Sequence, residues 1–164
     1  MNTLYLHIRS LLILILMTGC LSVSAQGIGE VRFGSSREVA SEAIFQLFGQ
    51  PSSTDGNCYI YKNKEFEGFH WNEVLFRFTN DRLTEARFFM NQRSKYEARR
   101  KLTAISKVLA KKHVMSMDIE DDGNHFYAGG KSPLYYGHLF TLFISPREGR
   151  WTDQLRFGPF EFKN

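Results

Sequence analysis

Ser35-Ser36-Arg37-Glu38-Val39-Ala40-Ser41-Glu42-Ala43-Ile44-Phe45-Gln46-Leu47-Phe48-Gly49-Gln50-Pro51 is the stretch on which the reading of this chain turns. Ser35 followed three residues later by Glu38 has the form of a capping box, in which two side chains satisfy backbone N–H groups that a first helical turn leaves without partners. Gly49 suits a left-handed C-terminal cap, and Pro51 cannot continue a helix. Between these ends Ala40, Ala43, Ile44 and Leu47 recur at steps of three and four, which makes one stripe apolar. The spacing predicts a helix over about Ser36 to Phe48 that needs a surface to cover.

The residues that follow supply one. Ser52 to Asn57 is a polar cluster and predicts a loop. Cys58 to Lys62 and Glu65 to Trp71 predict strands, with Gly68 as a bend. Glu73 to Thr79 alternates, placing Val74, Phe76 and Phe78 on one face and Glu73 and Arg77 on the other. Asn80-Asp81 predicts a hairpin turn. In the returning strand, Arg82 to Met90, Leu83 is odd whereas Ala86, Phe88 and Met90 are even. All four reach one face only if a bulge near Thr84-Glu85 shifts the register by one.

Ser94-Lys95-Tyr96-Glu97 repeats the capping box and opens a second predicted helix, about Lys95 to Lys112. Ala98, Leu102, Ile105 and Leu109 form its apolar stripe, and Arg99, Arg100, Lys101, Lys107, Lys111 and Lys112 fall elsewhere on it. An acidic run, Asp118 to Asp122, follows at once, so these bases read as a solvated face balanced by a surface turn. Strands are then expected over Asn124 to Ala128, Tyr135 to Ser145 and Arg150 to Phe157, with Gly129 to Pro133 as a loop. Set side by side, the halves suggest a repeat at about residues 35–90 and 94–160. The expected fold is α+β: tandem helix-plus-β-hairpin units, with two helices on one face of a curved antiparallel sheet.

Val39 through Leu47-Phe48-Gly49-Gln50-Pro51, then Tyr59-Ile60-Tyr61, then Val74 through Phe78-Thr79-Asn80-Asp81-Arg82-Leu83 resembles the SmpA/OmlA type of outer-membrane assembly lipoprotein. That family shows a helix ending in Leu-Gly-x-Pro, Tyr- or Trp-bearing strands, and a Phe-x-Asn/Asp-x-Leu hairpin. Its fold is shared by the tandem β-lactamase-inhibitor proteins, whose duplicated helix-plus-sheet arrangement is similar to the two halves here. The resemblance implies a fold. Phe48 interrupts the Leu-Gly pair, and neither membrane-protein assembly nor inhibition is carried to any residue.

Met1 to Arg9 carries one base and is followed by Leu11-Leu12-Ile13-Leu14-Ile15-Leu16-Met17, too short to span a bilayer. Val23-Ser24-Ala25 then provides a small-residue cleavage site, so residues 1–25 read as a secretory signal and 26–164 as a single domain. Met17-Thr18-Gly19-Cys20 resembles a bacterial lipobox, and lipidation at Cys20 is the alternative to cleavage after Ala25. The expected location is the periplasm or cell envelope, with an outer-membrane lipoprotein as the alternative. Beyond the signal only Cys58 remains, so no internal disulfide is available.

Chemistry is hard to find. The chain carries a formal net charge of +4, and 15% of it is aromatic. His70, His113, His125 and His138 never take the i, i+4 spacing of a helical zinc pair. Gly129-Gly130-Lys131-Ser132 lacks the leading glycine of a phosphate loop. There is no Gly-x-Ser-x-Gly elbow. No cofactor is implied, and no nucleic-acid partner. Membrane contact is expected only through Cys20. The reading is a non-enzymatic, exported interaction module for a protein partner, the alternative being an envelope enzyme or enzyme inhibitor. Trp71, Tyr135 and Trp151 are the candidate binding anchors, because aromatics on an uncovered sheet face dominate interfaces.

Overall fold

A computed structural model describes residues 27–163. The segment 1–25 expected to be a secretory signal, with Cys20, lies outside the described residues.

The chain is mainly β, which corrects the expectation of tandem helix-plus-hairpin units. Eight strands form one continuous antiparallel sheet in the order β3-β4-β5-β6-β10-β9-β8-β7. They are β3 (Ser53–Asp55), β4 (Cys58–Phe66), β5 (Phe69–Thr79), β6 (Arg82–Gln92), β7 (Met115–Ile119), β8 (His125–Lys131), β9 (His138–Arg147) and β10 (Arg150–Phe157). Two residues each of β1 (Gly27–Ile28) and β2 (Val31–Arg32) make a separate small ribbon. Two helices, α1 (Arg37–Phe48) and α2 (Lys95–Leu109), complete the described elements. The hairpins do not stand as units under their own helices. The last strand crosses back to pair with β6, from Trp151 opposite Gln92 to Phe157 opposite Ala86.

The cap of α1 sits one residue later than the capping box implied: Ser36 Oγ accepts from Val39 N at 3.4 Å. The buried stripe is accordingly Ala40, Ile44 and Phe48, four residues apart each time, and Leu47 is exposed. Phe48 does the packing, touching Tyr61, Phe76 and Phe88. In α2, Ser94 Oγ accepts from Glu97 N at 3.2 Å, and Ala98, Leu102, Ile105 and Leu109 are buried. Four such apolar side chains, at about 1.5–3 kcal/mol for each large one, outweigh any helix propensity of this stretch.

One face of the sheet receives both helices. It carries Val74, Phe76 and Phe78 of β5, Leu83, Ala86 and Phe88 of β6, Leu155 and Phe157 of β10, and Phe140, Leu142 and Ile144 of β9. Leu83 and Ala86 share this face because the β5–β6 register shifts at Arg77/Phe78, leaving Thr84 as the extra residue. Thr84 Oγ1 donates to the Arg77 carbonyl at 3.2 Å, which satisfies an acceptor that the bulge frees. A second break, at Asn63 (φ 53°) opposite Asn72, turns Trp71 to the same side as Val74.

Candidate binding face

Among the described residues, no helix lies on the other face of the sheet. Strand alternation decides what it presents, because residues two apart point the same way. In β6, Glu85 and Arg87 both point here; in β5, Glu73, Leu75 and Arg77; in β10, Gln154 and Arg156; in β9, Phe143, Ser145 and Arg147. The register sets Arg77 opposite Glu85 and Arg87 opposite both Leu75 and Arg156. Three arginines therefore meet around one carboxylate.

The geometry is tight. Arg87 Nε donates to Glu85 Oε1 at 2.7 Å, and Arg156 Nε donates to the same oxygen at 2.8 Å. Arg77 Nε lies 3.6 Å from Oε2. The Glu85 side chain is 2% exposed, whereas those of Arg77, Arg87 and Arg156 are 47%, 30% and 32% exposed. A buried carboxylate is stable only when charged donors replace its water. Here one carboxylate holds three guanidinium groups, so the cluster keeps an excess charge of about two. Arg87 and Arg156 bond Glu85 through Nε, and among the described residues the terminal nitrogens of all three guanidinium groups keep N–H donors that no protein acceptor takes.

A second cluster lies beside the first. Glu73 accepts from Arg147 Nη2 at 2.8 Å and from Lys62 Nζ. Burial pushes the Glu73 carboxyl up, but the hydrogen bonds and charges of Lys62 and Arg147 outweigh it and hold the group below the usual range. The Arg147 guanidinium stacks 4.0 Å from the Phe89 ring centroid, and Phe126 stacks on Phe143 at 5.9 Å. Arginine fixed against aromatics is the composition of interface cores.

The three aromatics singled out from the sequence do not come together. Trp71 is fully buried, its Nε1 donating to the Phe66 carbonyl at 3.1 Å and its ring edge-on to Phe88. Trp151 is half-buried on the helix side, with Lys95 Nζ 4.9 Å from its ring centroid. Tyr135 stands fully exposed in the β8–β9 loop. Cys58 lies half-buried at the outer end of β4. Sequence reasoning missed Glu85 and its arginines. Their parity was visible in β6, but Arg156 reaches them only through the β6–β10 pairing.

Elsewhere, a cavity of about 500 Å³ is lined by His113, Met115, Lys131 and His138 among others. Burial holds His113 below the ordinary imidazole range, with Glu67 pushing the other way. Among the described residues, no three His, Cys, Asp or Glu side chains gather as metal ligands. Under α2, Asp153 is fully buried and accepts one hydrogen bond, from Gln92 Nε2 at 2.7 Å, while Oδ1 has no partner.

Compared with known proteins, the chain matches no family model, no curated protein and no solved structure. Its site is read from its own geometry.

Proposed function

We propose that this chain is an exported, non-enzymatic protein of the cell envelope that binds a protein partner on the uncovered face of its sheet. The observation that carries the reading is the arrangement of that face. Arginines pinned by the carboxylates of Glu85 and Glu73 alternate there with the half-buried apolar residues Leu75 and Phe143, and Arg147 lies over the buried Phe89 ring. Such side chains have already lost much of their rotamer freedom, so a partner meets a surface with little left to order. The charged start, short apolar core and Val23-Ser24-Ala25 support export.

Site-specific photo-crosslinking tests the docking surface. A photoreactive residue at Leu75 or Thr141, on the uncovered face, is expected to capture a discrete envelope protein. The same residue at Leu47, on α1, is expected to capture none. Equal capture from both sides, or none from the sheet, overturns the reading. Intact-mass analysis of the purified protein tests export: the expected N-terminus is Gln26 or a lipidated Cys20, and an unprocessed Met1 in the cytoplasm overturns it.

A further inference from the structure

We infer that Arg77, Arg87 and Arg156, seated on Glu85, form the recognition point for an acidic protein segment that presents two neighbouring carboxylates. The inference rests on the docking reading above and names the chemistry of the partner.

Charge sets the number of carboxylates. Glu85 neutralises one of three guanidinium groups, and like charges held side by side on a single oxygen repel one another. Arg87 and Arg156 share Oε1 at 2.7 and 2.8 Å, so their guanidinium groups stand next to each other. Two added carboxylates bring the cluster to neutrality; one leaves it cationic.

Geometry sets the kind of group. Among the described residues, the terminal nitrogens of the three arginines make no hydrogen bond to the protein, and each side chain is about a third to a half exposed. Pairs of N–H donors in a planar fork match a carboxylate bidentately. The backbones beneath are adjacent strands of a sheet, with Arg87 opposite Arg156, so the forks are held at fixed positions.

The surroundings set the kind of molecule. A nucleic acid needs a run of bases along its phosphates. Here the neighbours of the cluster are Leu75 and Thr141, and the next cations, Lys62 and Arg147, are already taken by Glu73. A compact cationic point inside an apolar and polar field suits acidic side chains on a folded or extended protein segment.

Calorimetric titration of the purified protein with a hexaglutamate peptide, a hexaglutamine peptide and inorganic phosphate tests this. The expected result is that hexaglutamate binds at least tenfold more tightly than hexaglutamine or phosphate, and loses that affinity in 0.5 M salt. Arg87→Gln and Arg156→Gln are each expected to weaken hexaglutamate at least threefold, with Arg100→Gln on α2 leaving it unchanged. Glu85→Gln is expected to tighten it, a change that a purely structural ion pair would not produce. Thermal melts identify any variant that fails to fold, and the arginine variants carry the test if Glu85→Gln does. Equal binding of the two peptides, or phosphate binding as tightly as hexaglutamate, overturns the inference. Open-face crosslinks that persist undiminished in Arg87→Gln and Arg156→Gln overturn it while leaving the docking surface in place. Hexaglutamate binding in a protein whose open face captures no partner upholds the acidic site and removes the docking reading.

Discussion

Gln92 Nε2 donates to Asp153 Oδ2 at 2.7 Å across two residues that flank the β6–β10 seam, while the other oxygen of this fully buried carboxyl has no partner among the described residues. Asp153 shares its face with Leu155 and Phe157, beneath α2. Burial pushes its pKa up to about 7, with Gln92 and the Lys101 charge pulling the other way. A carboxyl whose folded pKa lies above its unfolded value near 4 favours the folded state only while it is protonated there. Below pH 4 both states hold the proton. Between about pH 4 and pH 7 only the folded state does, so stability falls as pH rises through this window, and above it the full penalty stands. Asp153→Asn is expected to remove that slope and to raise stability at pH 8 by on the order of 2–4 kcal/mol. Denaturant unfolding at pH 5 and pH 8 checks it; a slope unchanged in the variant places the proton elsewhere.

Glu73 acts in the opposite direction. Lys62 and Arg147 hold its folded pKa below the usual range despite its burial. Its contribution is present above the unfolded pKa and is lost as pH falls through the folded one, on the acid side of the ordinary carboxylate range. Glu73→Gln is expected to shrink the acid limb of the stability profile while leaving the pH 4–7 limb of Asp153 unaltered. Melting curves between pH 2 and pH 5 separate the two.

The anchors expected from the sequence sort by burial. Trp71→Ala opens a hole against Phe88 and orphans the Phe66 carbonyl, and is expected to cost about 3–5 kcal/mol. Tyr135→Ala touches nothing that the fold needs and is expected to stay within about 0.5 kcal/mol. Trp151→Ala is expected to fall between them, since half of the ring packs and Lys95 covers part of the rest. Urea midpoints order the three, and any other order means that the packing around Trp151 or Trp71 differs from that described.

The helices and the β5–β6 bulge were legible because each rests on a pattern written in one stretch of chain. Ser94 with Glu97, the stripe from Ala98 to Leu109, and the parity change between Leu83 and Ala86 all belong to single elements. Strands β3 and β7 were not legible. Ser53–Asp55 is exposed throughout and Met115–Ile119 almost so, and an edge strand defined by backbone hydrogen bonds to one neighbour leaves no apolar alternation. The sheet-scale correction has the same cause. The pairing of β6 with β10 joins residues about 60 to 70 positions apart, and no local signal announces it. The arginine cluster inherits that blindness, since Glu85 and Arg156 meet only once this pairing exists. Asp153 was obscured for a simpler reason: an acid within the apolar parity of Trp151, Leu155 and Phe157 gives no warning that it is buried.

The Gly129-Gly130 pair, which superficially suggested a phosphate loop, instead lies inside β8, where both neighbouring strands come close. A Cβ at Gly129 would come 2.6 Å from Met115 Cγ, 2.9 Å from the Val114 carbonyl oxygen and 3.0 Å from Phe140 Cζ. A Cβ at Gly130 would come 2.8 Å from Leu139 Cβ, at a backbone φ of 71° that L side chains avoid. Both contacts involve β9 or the residues about the start of β7, so neither strand can close on β8 without displacing a neighbour. Gly130→Ala combines crowding with left-handed strain and is expected to cost about 1–3 kcal/mol. Gly129→Ala meets backbone as well as side chain, and small-to-large crowding of this kind carries about the same cost. The damage is expected to be local: amide exchange in β7 and β8 should accelerate while β5 and β6 keep their protection, because the outer strands can open without unfolding the centre. Exchange that rises equally in all eight strands would show that the β7–β8 edge is as essential to the fold as its middle.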